Sequence, residues 1–450
     1  MAPIDRERVR ELLGREEARF VQAHPRSKEL FERAKKSLLA GVPMNWMVAW
    51  AGAFPIFVAS GRGARVRDVD GHTYADLCLG DTGSMFGHSP KPAVDAIVRQ
   101  ARRGITMMLP TEDSVWVGEE LARRFGLPYW QVALTATDAN RFALRLAREV
   151  THRRKVLVFN GCYHGTVDEA LIALRDGAVA PRIGNLGPPV DPSLTTKVIE
   201  FNDVGGLDAA LATREVACVL AEPAMTNAGI ILPGPGYHEA LRRITRETGT
   251  LLLLDETHTI CAGPGGYTGA HALTPDIVTI GKPIASGVPA AAYGISQYVA
   301  DRVLDRVTGE GADESGIGGT LSGNALAAAA MRATLEHVIT REAFDRMIPL
   351  AERLEAGVLD AIERFDLPWH VVRLGARVEY KFSPVAPRNG REAEAVRDPE
   401  LDRLVHLYAL NRRILLTPFH NMALVCPATT ERDVDRHTRV FRAFAKALAT

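Results

Sequence analysis

The 450-residue sequence has no excess of charge of either sign, because 54 lysines and arginines balance 54 aspartates and glutamates. Proteins that bind nucleic acid or an anionic membrane surface through charge usually have a basic excess, so neither partner is expected. Cysteine is scarce, with five residues scattered along the chain: Cys78, Cys162, Cys218, Cys261 and Cys426. This odd, unpaired set fits neither a disulfide framework nor a metal site and is typical of a reducing compartment.

Long apolar runs are also missing. No uninterrupted apolar stretch approaches the roughly 20 residues of a membrane-spanning helix. The first residues, MAPIDRERVRELLGREE, contain no apolar core of a signal peptide. We therefore expect a cytoplasmic protein. A hydrophobic content of 46% and a charged content of 24% are ordinary for a globular protein, and 450 residues are enough for two domains.

Several common catalytic motifs are absent. A G-x-x-x-x-G-K motif that ended at Gly281-Lys282 would need glycine where the sequence has Asp276. The glycine-rich run at 263–269 has the wrong spacing for a dinucleotide-binding motif and no strand directly before it. There is no G-x-S-x-G elbow and no H-E-x-x-H. We expect His164 and His258 to be hydrogen-bonded structural histidines, and no metal site is predicted.

Apolar runs alternate with helical patterns between about residues 115 and 325, which indicates an α/β domain with a mostly parallel, doubly wound sheet. Its predicted strands are Val132–Leu134, Val156–Phe159, Val216–Leu220, Leu251–Leu254, Ile277–Ile280 and Ala290–Gly294. A β-hairpin or meander that turns at Gly61 and at Asp70-Gly71 is predicted over 56–80. A smaller α+β domain follows, with an alanine-rich helix over 325–339. The predicted division is 1–75, contributing to the small domain, 76–325, the large domain, and 326–450.

Two of these apolar runs end in residues of opposite charge. Leu251–Leu254 is followed by Asp255, and Ile277–Ile280 by Gly281 and Lys282. Ligands bind beyond the carboxyl ends of parallel strands. A carboxylate and a lysine meeting there suit pyridoxal phosphate, because the acid keeps the ring nitrogen protonated and the amine forms a Schiff base. Since Pro283 follows, we predict extended backbone at Lys282. Taken singly, a solvated lysine and a helix-capping acid remain alternatives.

Other polar residues stand beside predicted strands and helices. Thr135, Ala136 and Thr137 stand at a predicted strand end, and Asp138 lies in the first turn of the helix that follows. This segment would bind a phosphate or only cap the helix. Gly319 and Thr320 offer a second, weaker phosphate site. Tyr163 would stack on a cofactor ring or only pack in its turn. Glu222 would hydrogen-bond a ring substituent or its own loop.

From about residue 40 to its end, the chain resembles the class III aminotransferases, a family of fold-type I pyridoxal-phosphate enzymes. The landmarks keep the order of the family: D-V-D-G (68–71), F-G-H-S-P (86–90), T-D-A-N (137–140), Y-H-G (163–165), E-P (222–223), D-E-T (255–257), G-K (281–282) and G-T-L-S-G-N (319–324). An ordered set of this kind is highly specific. The last two landmarks look most like the branch that holds glutamate-1-semialdehyde aminomutases and β-amino-acid aminotransferases.

The resemblance implies roles for the matching residues. Lys282 would form the Schiff base and move the substrate α-proton. Asp255 would hold the pyridinium nitrogen, and Tyr163 would stack on the ring. The implied cofactor-binding set is Ala136, Thr137, Asp138, Tyr163, His164, Glu222, Asp255, Lys282, Gly319 and Thr320. Within it, Thr320 would reach the phosphate of the partner subunit, so the resemblance implies a homodimer.

Three departures from the family pattern stand out. The family usually has Ser-Gly-Thr-Glu where this chain has Thr135 to Asp138. The alanine is tolerated if φ there is negative, and the shorter acid either loses its contact or makes it through water. Asp-Glu-Thr in place of Asp-Glu-Val matters little. The third departure lies in two places that carry arginines in β-amino-acid aminotransferases of this branch. This chain has about Asn45-Trp46 and Phe419-His420 there.

Loss of a guanidinium removes the bidentate partner that a carboxylate prefers. Residues 42–57, rich in Met, Trp and Phe, are either loop core or a pocket wall. We expect an apolar substrate pocket formed by some of Trp46, Trp50, Phe86, Met107, Met108, Phe419 and His420. Arg141 or Arg413 would remain to bind a carboxylate from elsewhere.

The predicted reaction is therefore a ping-pong amino transfer. The donor would be a primary amine or amino acid with a bulky apolar or aromatic side chain, and the acceptor a keto acid. The first alternative is an aminomutase of the glutamate-1-semialdehyde type or a racemase, in which the starting spectrum returns without added keto acid. A non-catalytic relative that binds the coenzyme is the second alternative.

Overall fold

The computed structural model describes residues 4–175, 177–188, 190–308, 316–418 and 420–449. In chain order its helices are α1 (Arg6–Ala23), α2 (Pro25–Ala34), α3 (Lys91–Ala101), α4 (Glu112–Phe125), α5 (Ala136–Thr151), α6 (Val204–Ala212), α7 (Tyr237–Thr248), α8 (Gly266–Ala270), α9 (Gln297–Thr308), α10 (Ala325–His337), α11 (Arg341–Arg364), α12 (Gly390–Ala395), α13 (Pro399–Asn411) and α14 (Glu431–Ala449). Its strands are β1 (Val58–Arg62), β2 (Arg65–Asp68), β3 (Thr73–Asp76), β4 (Tyr129–Ala133), β5 (Lys155–Phe159), β6 (Ile172–Arg175), β7 (Ala178–Pro181), β8 (Thr196–Ile199), β9 (Val216–Ala221), β10 (Leu251–Asp255), β11 (Ile277–Ile280), β12 (Ala291–Ile295), β13 (His370–Leu374), β14 (Arg377–Lys381), β15 (Ile414–Leu415) and β16 (Met422–Leu424). None of the described helices has both the length and the apolar composition that a membrane span needs.

The chain divides into two compact units. The first unit consists of Met1–Pro90, Glu342–Ala386 and Val396–Thr450, and the second of Lys91–Arg341 and Pro387–Ala395. The three-part division predicted from the sequence stays a prediction.

The second unit is built on a sheet whose described part has seven strands, in the order β4-β12-β11-β10-β9-β5-β8. Neighbouring strands from β11 to β8 are parallel, whereas β12 is antiparallel to both β11 and β4. Parallel neighbours need crossover connections, and helices follow most of these strands. The predicted mostly parallel α/β sheet is confirmed.

The central strands of this sheet are completely buried. Every residue of β9, β10 and β11 is buried, which explains why these strands read as unbroken apolar runs rather than as an alternating pattern. Helix α5 packs on the sheet through an apolar face that includes Phe142 and Leu146, and the same helix also buries Asn140. A buried amide within an apolar face needs hydrogen-bond partners.

The described part of the first unit contains two small sheets. Strands β1, β2 and β3 form an antiparallel meander to which β15 adds in parallel, and β13, β14 and β16 form an antiparallel sheet. The first turn of the meander lies at Gly63, so the predicted turn at Gly61 is wrong by two residues. Gly61 lies inside β1, where a side chain would approach the ring of His88 to 3.0 Å. Close packing rather than a turn explains this glycine.

Candidate active site

Two side chains of opposite charge leave the sheet of the second unit at one edge. Asp255 is the last residue of β10, and Lys282 follows β11 after Gly281. The two strands are parallel neighbours, with Asp255 paired to Thr279. Both residues therefore lie at the carboxyl ends of adjacent strands, where ligands bind in open α/β sheets.

The carboxylate of Asp255 is buried and held on both oxygens. Oδ2 accepts a hydrogen bond from Nδ2 of Asn140 at 2.9 Å and lies 3.0 Å from Nδ1 of His164. Oδ1 accepts from the backbone N–H of Thr257 at 3.0 Å. Burial alone raises the pKa of Asp255, but the bond and charge of His164, helped by the other two donors, outweigh burial and lower this pKa to about 2. Asp255 is therefore an anion at physiological pH.

His164 is the counterion of Asp255. Burial of its ring disfavours the charged form, but the neighbouring Cys162 and the carboxylate of Asp255 outweigh burial and raise the pKa of His164 to about 10. At neutral pH the pair is therefore an imidazolium and a carboxylate.

The backbone of Lys282 does not have the predicted conformation. Its φ is 49°, in the left-handed region, and it begins a short 3-10 helix over Lys282–Ala285. The prediction of extended backbone is wrong. The following proline disfavours the right-handed helical region, but the chain turns sharply after β11, and a left-handed residue makes that turn. Such residues cost about 1–3 kcal/mol and cluster at functional sites.

The amine of Lys282 contacts a histidine. Nζ lies 2.7 Å from Nε2 of His258. His258 is half-buried and stands just after D-E-T, before a short 3-10 helix over Thr259–Ala262. The structure thus places beside the lysine a residue that we expected to be a hydrogen-bonded structural histidine, and it hydrogen-bonds to the lysine amine.

The N-terminus of α5 lies against the turn that carries Lys282. A side chain at Gly281 would approach Cβ of Ala136 to 3.0 Å and its N to 3.3 Å, so this glycine allows the helix to come close. Ala136 is not among the residues with positive φ. The alanine therefore causes no backbone strain there.

The first turn of α5 contains the predicted phosphate ligands. Oγ1 of Thr137 accepts from the backbone N–H of Thr166 at 3.1 Å. Gly165 has a φ of 80°, and a Cβ on it would lie 2.1 Å from Oγ1 of Thr137. Asp138 accepts from the hydroxyl of Thr135 at 2.8 Å and donates its N–H to the same oxygen at 3.2 Å. Asp138 is thus part of the helix cap, the alternative to a cofactor contact.

Tyr163 and Glu222 lie in loops that follow β5 and β9. Tyr163 is half-buried, and the guanidinium of Arg182 lies 5.9 Å from its ring centroid. Glu222 is buried and accepts from both the backbone N–H and the hydroxyl of Thr226. Burial raises the pKa of Glu222, against the opposing charge of His164. Within the described residues, Glu222 therefore accepts these hydrogen bonds from its own loop.

Gly319 and Thr320 lie in the segment before α10. The carbonyl of Gly319 accepts from the N–H of Ser322 at 2.9 Å, and Asn324 caps α10 by accepting from the N–H of Ala327 at 2.9 Å. Thr320 is exposed. The structure of the single chain therefore leaves this threonine at the surface of the second unit.

Four of the predicted pocket residues lie in the first unit. Trp46 is exposed, and Trp50 packs against a buried apolar cluster. Phe86 is only 6% exposed, and its ring packs edge-on against Phe344 at a centroid distance of 5.6 Å. Nδ1 of His420 lies 3.5 Å from a carboxylate oxygen of the buried Glu379. Phe86 therefore presents little surface to a ligand.

The other predicted pocket residues are Met107 and Met108, which are exposed on the second unit, and Phe419, which lies outside the described residues. Of the two arginines considered for a carboxylate, Arg141 is in α5, 4.0 Å from Asp138. Arg413 donates to the hydroxyl of Tyr74 at 3.3 Å in the first unit.

Sequence reasoning assigns no role in the site to Asn140, Thr279 or His258. Besides holding Asp255, Asn140 donates to the carbonyl of His164 at 3.1 Å and accepts from the hydroxyl of Thr279 at 2.6 Å. Its position inside the apolar face of α5 was the available signal, because buried amides need partners. No sequence signal distinguishes His258 from a histidine of an ordinary turn.

Comparison with known proteins identifies the family. The sequence model of the family described as aminotransferase class-III matches residues 47–420. The chain belongs to the class III aminotransferase family. Among curated relatives of this class III protein, a glutamate-1-semialdehyde 2,1-aminomutase from Desulfitobacterium hafniense is 33% identical over 435 residues, covering 94% of this chain and 98% of the relative.

Solved structures of class III relatives have the same fold. A glutamate-1-semialdehyde-aminomutase from Pseudomonas aeruginosa PAO1 is 51% identical, with a TM-score of 0.97 and 99% of both chains covered. A variant of that protein, with one lysine replaced by alanine, was solved in complex with PMP. A β-phenylalanine aminotransferase from Variovorax paradoxus is 27% identical, with a TM-score of 0.87 and 97% of both chains covered. The fold-type I architecture and the class III resemblance are confirmed.

The residues at the sheet edge fit the chemical groups of pyridoxal phosphate. Among the described residues, Oδ1 of Asp255 receives one N–H, from Thr257, which leaves an acceptor position for a protonated ring nitrogen. The start of α5 and the hydroxyl of Thr137 present donors for a phosphate. Lys282 supplies the amine.

Proposed function

We propose that this class III enzyme transfers an amino group from a primary amine or amino acid to a keto acid by a ping-pong route. Its cofactor is pyridoxal phosphate. The observation that carries the proposal is the position of Lys282 and of the buried Asp255 carboxylate at the carboxyl ends of adjacent parallel strands. When bound, the coenzyme supplies an electron sink for negative charge that develops next to the amine nitrogen.

The residues of the site divide this work. Lys282 would hold the coenzyme covalently and, as a free amine, would move a proton at the substrate carbon. Asp255, an anion at physiological pH, would keep the ring nitrogen cationic. Tyr163 would pack on the ring, and Thr137 would bind the phosphate with the start of α5.

The remaining members of the proposed cofactor-binding set act at the edges of the site. His164 acts through Asp255, whose negative charge it stabilises. The N–H of Ala136 would face the phosphate, and Asp138 and Glu222 would lie near the edge of the ring. On their own, Asp138 bonds Thr135 at the start of α5, and Glu222 bonds Thr226 in its own loop.

The proposed donor has a bulky apolar or aromatic side chain. Trp46 is 38% exposed and Met107 44% exposed, so each leaves apolar surface for a ligand, and binding sites are lined mainly by such side chains. The name of the β-phenylalanine aminotransferase from V. paradoxus also supports an aromatic donor.

The proposed active unit is a homodimer in which Thr320 of one protomer reaches the phosphate bound by its partner. Exposure of Thr320 on the single chain supports this arrangement. Gly319 has a φ of 148°, a backbone conformation that is accessible mainly to glycine. This glycine therefore determines the direction of the chain before Thr320.

Aminomutation is the second candidate function, favoured by the names of the relatives that are 33% and 51% identical. In that reaction the amino group stays on the carbon skeleton of one substrate, so no keto acid is needed. The same lysine and aspartate would serve both reactions, because each begins with removal of a proton next to the amine.

One experiment separates the two candidates. Holoenzyme is mixed with single amines, including β-phenylalanine and alanine, without a keto acid, and the coenzyme absorbance is followed. Amino transfer predicts bleaching with one equivalent of keto product per site, reversed by added keto acid. Aminomutation predicts isomerisation of glutamate-1-semialdehyde with return of the original absorbance. Neither change should occur in the Lys282→Ala variant. The proposal fails if no donor bleaches the absorbance.

A further inference from the structure

His258 directly contacts the amine that the proposed function makes reactive. Its Nε2 lies 2.7 Å from Nζ of Lys282, within the range of a nitrogen–nitrogen hydrogen bond. Such a bond requires one nitrogen to carry the shared proton and the other to present a lone pair. The pair therefore has two forms, one with the proton on Nζ and one with it on Nε2.

The backbone on the lysine side of this contact is fixed. Lys282 has a left-handed φ of 49° and is followed by Pro283, which restricts the backbone of both residues. On its other side, a Cβ added to Gly281 would lie only 3.0 Å from Cβ of Ala136, so the backbone there is packed closely against α5. The position from which the lysine side chain starts is thus set by α5 and by the turn.

The backbone on the histidine side is also fixed. The N–H of Thr257 is bound by Asp255 at 3.0 Å. The hydroxyl of Thr259 is bound at 2.5 Å by the buried carboxyl group of Glu256. His258 lies between these two anchored threonines. Its imidazole therefore faces the lysine from a rigid turn and not from a free loop.

We propose that His258 is the proton partner of the Lys282 amine, an inference that rests on the proposed function. The ammonium of Lys282 gives one proton to Nε2 of His258. The lone pair that is freed on Nζ then forms the bond to the aldehyde carbon, and the aldehyde oxygen leaves as water with the two protons that had remained on Nζ. When the amine is released again, Nε2 returns the proton. A proton acceptor placed in hydrogen-bond contact avoids waiting for solvent.

The test measures attachment of the coenzyme, so it needs no amine substrate. Full-length protein freed of coenzyme is mixed with pyridoxal phosphate. The absorbance change gives the rate, and borohydride reduction with mass spectrometry gives the attached residue. His258→Ala is expected to attach the coenzyme about 100-fold more slowly, and free imidazole should restore the rate in proportion to its concentration.

Two further variants control this result. His258→Gln keeps a hydrogen-bonding side chain but has no basic nitrogen that can take up a proton. Its rate of coenzyme attachment should therefore be low and insensitive to imidazole. His271→Gln alters an exposed histidine that stacks on Tyr267 at a centroid distance of 3.9 Å, and it should attach the coenzyme at the wild-type rate.

A wild-type rate in His258→Ala or His258→Gln overturns the proposal. So does a slow His258→Ala variant that keeps its unfolding midpoint but does not respond to imidazole. If His258→Ala fails to fold, the rate of His258→Gln decides. The proposed function fails separately, if wild-type protein attaches the coenzyme at Lys282 but transfers no amino group, or if attachment survives in Lys282→Ala.

Discussion

Nδ1 of His164 lies 3.0 Å from Oδ2 of Asp255, and both side chains are buried at the carboxyl end of β10. Removing one partner of a buried ion pair leaves the other charge without compensation, which costs about 3–5 kcal/mol. The charge of Asp255 is therefore maintained by the protein itself, before any ligand contributes.

We expect the His164→Gln variant to lose stability in a pH-dependent way. The pKa of His164 is raised from 6.5 to about 10 in the folded chain, so its contribution is complete below pH 6.5 and is lost as the pH rises toward 10. The free energy of unfolding of the wild type should fall across this range. His164→Gln should be about 3–5 kcal/mol less stable at pH 6 and lack this slope in urea unfolding. Equal slopes would contradict the buried ion pair.

Gly165→Ala should weaken binding of pyridoxal phosphate. The added Cβ would lie 2.1 Å from Oγ1 of Thr137, so the proposed phosphate ligand must move. Gly126→Ala is the matched control, because Gly126 has a similar φ of 73° but nothing within 4 Å of an added Cβ. Both variants should lose about 1 kcal/mol or more from backbone strain. Only Gly165→Ala should lose coenzyme affinity by equilibrium dialysis, and equal affinities would exclude Thr137 as a phosphate ligand.

Trp46→Ala should reduce kcat/KM for an aromatic amine by about 10-fold or more, because a buried aromatic contact is worth about 1.5–3 kcal/mol. Leu39→Ala removes a side chain that is 91% exposed on the same unit and should have no effect. Steady-state kinetics with aromatic and short aliphatic donors provide the measurement. A strict need for a donor carboxylate that depends on Arg141, tested by Arg141→Ala, would contradict the apolar pocket.

The central strands could be predicted from the sequence because a completely buried strand consists almost entirely of apolar residues. Val156–Phe159 and Ile277–Ile280 appear as unbroken apolar runs, and the structure has strands at both. The edge strand β8 and the β6–β7 hairpin were not predicted. The buried residues of β8 are Thr196 and Val198, so its residue types do not show the apolar and polar alternation that indicates a strand.

The sequence predicts the site residues that stand at strand ends. It does not predict those whose role depends on contacts with residues distant in the sequence. The rule that ligands bind at carboxyl ends of parallel strands pointed to Asp255 and Lys282, and the family confirms the predicted coenzyme. The roles of Asn140 and His258 depend on contacts with residues far along the chain. The left-handed backbone of Lys282 depends on the turn that packs against α5, which local preference before proline does not reveal.

Acid should destabilise the protein through two histidines of the first unit. Burial lowers the pKa of His406, despite its hydrogen bond to Asn421, and the pKa of His437, in both cases to about 4. Between pH 6.5 and about 4 the unfolded chain binds more protons than the folded one, so the free energy of unfolding falls as the pH falls. Each histidine contributes on the order of 3 kcal/mol.

The test compares urea unfolding at pH 7 and at pH 4.5. Between these two pH values, His437→Leu should lose less unfolding free energy than the wild type. His337→Leu, which removes an exposed histidine, should lose as much as the wild type. An undiminished loss in His437→Leu would mean that His437 does not resist protonation in the folded chain.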